Sequence, residues 1–228
     1  MRILALGAHP DDIEIYMFGT LAAHAARGGA LSLAVATDGA RGGTATPVDL
    51  RRIRQSEATK AAKLLGSVPR FLDFPDGELI ADATLIGALR ELIAEARPDL
   101  IITHSPTDYH GDHRALNQAT RIAASFASPL LEADTYFGVG FAPTHYVDIS
   151  DYFDIKSAAI WTHASQDPER LVEAARRLNG FRASQANADR GGFAEAFRFD
   201  PVYPFVDIRE LLPPAPKVSP IAHRNQQR

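Results

Sequence analysis

The sequence predicts an α/β protein with a mostly parallel sheet covered by helices on both faces. Three observations carry this. Short apolar runs alternate with helical stretches in a βαβαβαβ rhythm. The runs lack the in–out alternation of a sheet with one wet face, so both faces are buried. Two clusters of His and Asp directly follow two of the runs, where open parallel sheets place their ligands.

Taken in order, residues 3–6 form the first strand, and Gly7-Ala8-His9-Pro10-Asp11-Asp12 follows. Pro10 disfavours helix at His9, so the strand stops there and the chain turns. Residues 14–27 read as a helix closed by Gly28-Gly29. Residues 31–37 are a second strand. The glycine-rich loop 38–43 lacks phosphate-binding spacing and reads as a flexible loop at the mouth of a site. In the helix 47–65, Arg54 and Glu57 share a face, on their own a surface ion pair. Residues 70–74 are a third strand ending in the turn Pro75-Asp76-Gly77. A helix over 84–96 and a strand over 98–103 follow. That strand runs into His104, Asp108, His110, Asp112 and His113, before a helix over 115–127.

Beyond Ala133, residues 135–139 and 144–149 read as strands, 151–163 and 168–181 as helices, and 193–199 and 203–206 as short strands or loops. This α+β portion completes the pocket rim of the same domain, expected over 1–212. The Pro-rich stretch 213–220 and the polar end to Arg228 read as an extended or disordered tail.

With 228 residues and 46% hydrophobic content, one large core is expected. Absent cysteine excludes disulfides, thiolate metal sites and thiol nucleophiles, and fits a reducing compartment. A net charge of −4 gives no basic footprint for nucleic acid. No run is long enough for a membrane span. The first strand begins at once, which leaves no room for a signal peptide, so a cytoplasmic location is expected.

In a parallel sheet the two clusters can meet on one edge, provided the first and fourth strands are near neighbours. His and carboxylate donors without Cys suit a catalytic zinc, with Fe2+ or Co2+ as alternatives. Such a site takes about three protein ligands and keeps one position open. His9, Asp12 and His113 supply that set. Asp11 is then available to take a proton from water, and His110 to donate one to a leaving group, with Asp112 orienting the His110 imidazole. His104 reads as a core or outer residue. His163 reads as a helix-end charge partner or a pocket residue, His145 has no assigned role, and His24 and His223 read as surface.

Ala8-His9-Pro10-Asp11-Asp12 with Asp108-x-His110-x-Asp112-His113 resembles the PIG-L/LmbE-like deacetylases. Weaker matches run through Gly19-Thr20-Leu21, Arg54-x-x-Glu57, Phe74-Pro75-Asp76-Gly77, Val147-Asp148-Ile149, Lys156, His163-x-Ser165-Gln166 and Ala194-Glu195-Ala196-Phe197. The resemblance implies a Rossmann-like fold and zinc-dependent removal of an N-acetyl group from a GlcNAc-type sugar or conjugate. It implies ligands His9, Asp12 and His113, with Asp11 as base. His110 becomes the acid or oxyanion stabiliser, tuned by Asp112, and Arg54 and Asp76 become substrate-binding residues. Relatives form oligomers, so a homo-oligomer is compatible with it. The chain departs from the pattern at Tyr16-Met17-Phe18-Gly19, where a Gly-Gly pair is usual. It departs again at Thr37-Asp38-Gly39-Ala40, where an acid usually closes the motif. Two rivals remain open at this stage: the same centre acting on another amide or ester, and a metal- or carbohydrate-binding protein without turnover.

Overall fold

The computed structural model describes residues 1–136, 140–188 and 191–217. One seven-stranded sheet runs through it. β1 (Arg2–Gly7), β2 (Ala30–Thr37), β3 (Pro69–Phe74), β4 (Leu100–His104) and β5 (Leu130–Ala133) are parallel. β7 (Ala194–Phe199) pairs antiparallel with β5 and with β6 (His145–Asp148), giving the order β3-β2-β1-β4-β5-β7-β6. The first and fourth strands are therefore direct neighbours, and the strand order reverses between them. That reversal opens a crevice at their carboxyl ends.

Alternate residues of one strand feed two cores. Ile3 and Ala5 of β1 join Leu33 and Val35 of β2 on one face. Leu4 and Leu6 join Ala34 and Ala36 on the other. The first face is covered by α1 (Asp12–Tyr16), α2 (Phe18–Ala26), α3 (Pro47–Lys63), α6 (Phe153–Trp161) and α7 (Pro168–Gln185). The second is covered by α4 (Ala83–Ala96) and α5 (Gly111–Ala123). This double burial explains why the strands read as continuous apolar runs.

Several elements differ from expectation. The helix expected over 14–27 is two helices, broken at Met17 with φ −142°. A tertiary contact sets the break. The Glu195 carboxylate of β7 accepts the Gly19 N–H at 3.0 Å and the Thr20 N–H at 2.8 Å, so it caps α2 from outside the local sequence. Lys156 Nζ, itself buried, balances that carboxylate at 2.6 Å. β5 escaped the sequence reading because four residues containing Glu132 look like a loop. Glu132 is buried there, paired with Arg121 of α5 and, at 2.7 Å, Arg198 of β7. The strand expected over 135–139 is absent at Thr135 and Tyr136, and 137–139 lie outside the described residues. α5 starts at Gly111, four residues earlier than expected, because His110 caps it. Residues 203–206 form no strand, and Phe205 makes an isolated bridge to Val202. His24 is not at the surface. It is buried against Gly29, with Nε2 3.2 Å from the Met1 carbonyl oxygen. Of the proline-rich tail, 213–217 carry no helix or strand, yet the Pro214 carbonyl accepts the Asp148 N–H at 2.9 Å. Residues 218–228, with His223, lie outside the described residues. No helix among the described residues is long and apolar enough to cross a membrane.

Candidate active site

The crevice is built first by the turn after β1. Gly7 lets the chain fold back tightly, since a Cβ there would stand 3.1 Å from Asp12 Cβ. Thr37, at the end of β2, pins the turn from the side. Its N–H (2.9 Å) and hydroxyl (2.7 Å) both donate to the Ala8 carbonyl. Gly39, with φ +70°, is held against Pro10, where a Cβ would come within 2.7 Å of the ring. The two aspartates then diverge. Asp12 points inward, where Oδ2 accepts the His9 N–H at 2.6 Å. Asp11 occupies the N-cap position of α1, but its side chain caps nothing. It faces Arg54 Nη2 at 3.2 Å instead. The capping role that such a residue usually takes is thus unfilled, and its carboxylate lines a cavity.

The cluster after β4 meets this turn. His9 Nδ1 lies 3.1 Å from His113 Nε2 and 3.3 Å from Asp12 Oδ2, and His113 Nε2 lies 3.3 Å from Asp12 Oδ1. The Asp12 carboxylate thus presents one oxygen to each imidazole, and these spacings are close to the edge of a tetrahedron around a metal with bonds of roughly 2.0–2.2 Å. Behind each imidazole stands a carboxylate. Asp108 Oδ2 is 3.1 Å from His113 Nδ1, and Asp112 Oδ2 and Asp76 Oδ1 are 3.2 and 3.3 Å from His9 Nε2. Carboxylates in that position hold the tautomer that turns the other nitrogen toward a metal.

The electrostatics say the same. Burial alone would depress both imidazoles. Instead Asp12, with contacts to Asp112 and Asp76, holds His9 well above its usual pKa of 6.5. Asp12 and Asp108 likewise raise His113 to about 9, against its burial. Burial would raise Asp12, yet His113, His104 and His9 hold it well below the usual carboxylate range. A buried pocket this rich in carboxylate selects for cations, and a divalent ion meets the same demand as protons do.

Other triples in the cluster close as well: His9–His110–His113, Asp12–His104–His113 and His9–Asp76–Asp112. Each contains a donor committed elsewhere. His110 Nδ1 accepts the Asp112 N–H at 3.2 Å. His104 Nε2 sits between the Ala8 N–H at 3.0 Å and Asp12 Oδ2 at 3.1 Å, and either pairing uses that nitrogen up. Asp76 accepts the Arg41 N–H, and Asp112 those of Gly77 and Leu79, at 2.7–3.1 Å.

The other expected residues sort as follows. Arg54 is buried and bridges Asp11 and Asp76, so it is no surface ion pair with Glu57. Glu57 instead accepts the Ser165 N–H and hydroxyl at 3.0 and 2.7 Å. Asp112 differs from expectation. Its carboxylate faces His9, and only its backbone N–H reaches His110. The helix begins at Gly111, which puts Asp112 inside the first turn with its side chain toward the 77–79 loop. Burial and the charges on His9 and His113 push the His110 pKa below its usual value. The His110 Nδ1 is occupied, so Nε2 carries the hydrogen. His163 is fully buried beside Glu14 Oε2 at 3.5 Å and lies outside the cavity lining. His145 sits on β6 against Thr144. Sequence reasoning assigned no role to Asp108, although an acid five residues before a ligand-type His at a strand end is a signal for an orienting carboxylate. His104 stacks on His113 at 3.7 Å between ring centres, a contact no spacing rule foretells.

A cavity of about 330 Å³ opens from this cluster to solvent. Tyr16, Tyr109, Tyr136 and Leu171 give it apolar walls, and Arg41, Gly42, Gly77, Gln166 and Arg170 stand around it.

The family model of PIG-L, GlcNAc-PI de-N-acetylase, matches residues 4–124. The chain is 32% identical over 193 residues to the diacetylchitobiose deacetylase of Thermococcus kodakarensis, covering 75% of this chain and 72% of that one. In structure it is similar to the 4-carboxy-2-hydroxymuconate hydratase of Pseudomonas putida, with a TM-score of 0.80 and 26% identity, over 88% of this chain and 97% of that one. It is also similar to the N,N'-diacetylchitobiose deacetylase of Pyrococcus horikoshii, with a TM-score of 0.80 and 24% identity, over 92% and 88% of the two chains.

Proposed function

From the premise that this chain belongs to the PIG-L family, we propose that it is a metal-dependent hydrolase that removes the acetyl group from an N-acetylated amino sugar or sugar conjugate, releasing acetate. The observation that carries this reading is the approach of His9 Nδ1, His113 Nε2 and the Asp12 carboxylate to within 3.1–3.3 Å of one another. These three would hold the metal. Zinc suits the imidazole and carboxylate set, and Fe2+ or Co2+ suits it nearly as well. Bound there, the metal would supply Lewis acidity toward the amide carbonyl and lower the pKa of water.

The chain's own residues do the rest. Asp11, held by Arg54 and free of capping duty, takes the proton of the attacking water. His110 presents Nε2–H to the oxygen on which charge develops, and the proton that Asp11 took from the water goes on to the leaving amine as the C–N bond breaks. Arg54 and Asp76 line the sugar end of the cavity. Asp76, with Asp112, also holds His9. Burial and the charges on His9 and His113 lower the His110 pKa, which favours its role as a hydrogen-bond donor to that oxygen over its role as the acid.

The hydratase of the same fold supplies the rival reading: these donors adding water across a carbon–carbon double bond of an unsaturated acid. Metal-reconstituted protein offered a panel of N-acetyl sugars separates the two. Metal-dependent acetate release is expected. Consumption of an unsaturated tricarboxylate without acetate would favour the rival.

A further inference from the structure

The cavity is electrically divided along its length. Its buried end holds the carboxylates of Asp11, Asp12 and Asp76, and the charged residues at its open end are Arg41 and Arg170. The third lining arginine, Arg54, is buried and bound to Asp11 and Asp76. The deacetylation scheme above uses neither Arg41 nor Arg170.

Arg41 is built into the site by its backbone. Its N–H donates to Asp76 Oδ2 at 3.0 Å, and its carbonyl accepts from Arg54 Nη1 at 2.7 Å. The guanidinium is thereby laid over Gly77, where a Cβ would stand 2.7 Å from Nη1, and Gly77 has φ +80°. The backbone of Arg41 is therefore anchored to Asp76 and Arg54, and its side chain, 59% exposed, reaches the cavity mouth. Arg41 pairs with Glu78, and Arg170 with Asp167 at 3.3 Å. Both pairs are exposed, and exposed pairs hold their partners weakly. A substrate oxyanion entering the mouth can replace either acid, and a guanidinium offers it two parallel donors.

We propose that Arg41 and Arg170 form an anion subsite at the cavity mouth, and that the substrate is an acetamido sugar whose aglycone carries a carboxylate or phosphate. The second half of this inference rests on the deacetylase reading. The first half stands on the charge layout alone.

Three N-acetylglucosamine glycosides test it: carboxymethyl, phosphonomethyl and the neutral carbamoylmethyl isostere. Wild-type metal-loaded protein should favour the better anion over the neutral glycoside by about tenfold in kcat/KM, roughly the worth of one charge-assisted hydrogen bond. The ranking of the two anions identifies the oxyanion. The preference should fall severalfold in Arg41→Gln and in Arg170→Gln, fall toward unity in the double variant, reverse in Arg41→Glu, and weaken with added salt. Titration calorimetry of the same compounds against the same proteins reads the charge preference without turnover. Equal affinity and equal kcat/KM for charged and neutral glycosides, or a preference indifferent to both substitutions, overturns the subsite. A charge preference in binding with no acetate released supports the subsite and overturns the deacetylase reading alone.

Discussion

At the scale of single residues, neighbours divide the labour. Asp11 and Asp12 are adjacent, yet one faces the cavity and the other the imidazoles. Asp11→Asn should keep stoichiometric metal by elemental analysis and lose roughly two or more decades of kcat; metal loss in that variant would transfer Asp11 to the ligand set. Asp112 gives a sharper test because two roles compete for it. If its carboxylate steadies His9, Asp112→Asn should weaken metal affinity about 10- to 100-fold in chelator competition. If it tuned His110, affinity would stay and only the rate would fall. Ligand-type residues were legible in the sequence because residue type and strand-end position together narrow the choice. The direction in which Asp112 points was not, because it depends on where α5 starts, and His110 sets that start by capping it.

At the scale of elements, the strands were legible wherever burial on both faces made them uniformly apolar, as in β1 and β4, whose interior residues are almost wholly excluded from solvent. Legibility failed where a charge is buried against a distant partner. Glu132 made β5 look like a loop, and Glu195 broke a helix 175 residues before it. Local periodicity cannot register such contacts. The Lys156–Glu195 pair is correspondingly consequential. Lys156→Met strands a buried carboxylate and should cost about 3–5 kcal/mol in urea unfolding. The double change Lys156→Met with Glu195→Gln should recover part of that loss. A Lys156→Met protein as stable as wild type would show that the clasp does not hold α2.

At the scale of the whole molecule, the crevice where strand order reverses gathers enough negative charge to make folding depend on what neutralises it. In the metal-free protein His113 is raised to about 9 from an unfolded value near 6.5. Its contribution is therefore complete below pH 6.5 and is lost as pH rises through 9, a swing on the order of 3 kcal/mol. Metal-free protein should lose urea stability over that window, and metal-loaded protein should not, because the ion replaces the proton. Chelation at pH 9 should accordingly lower Tm more than chelation at pH 6.5; equal shifts would mean that His113 does not titrate in this range. The Glu195 cap has a consequence for protein engineering. All three proposed metal donors fall within residues 4–124, which invites the use of that half as a portable catalytic cassette. It is not portable alone. Cut free, it would leave the Gly19 and Thr20 amides at the start of α2 without their acceptor. A chimaera that grafts a new substrate rim onto this scaffold must carry Lys156 and Glu195 across the junction, or supply a substitute acid for them.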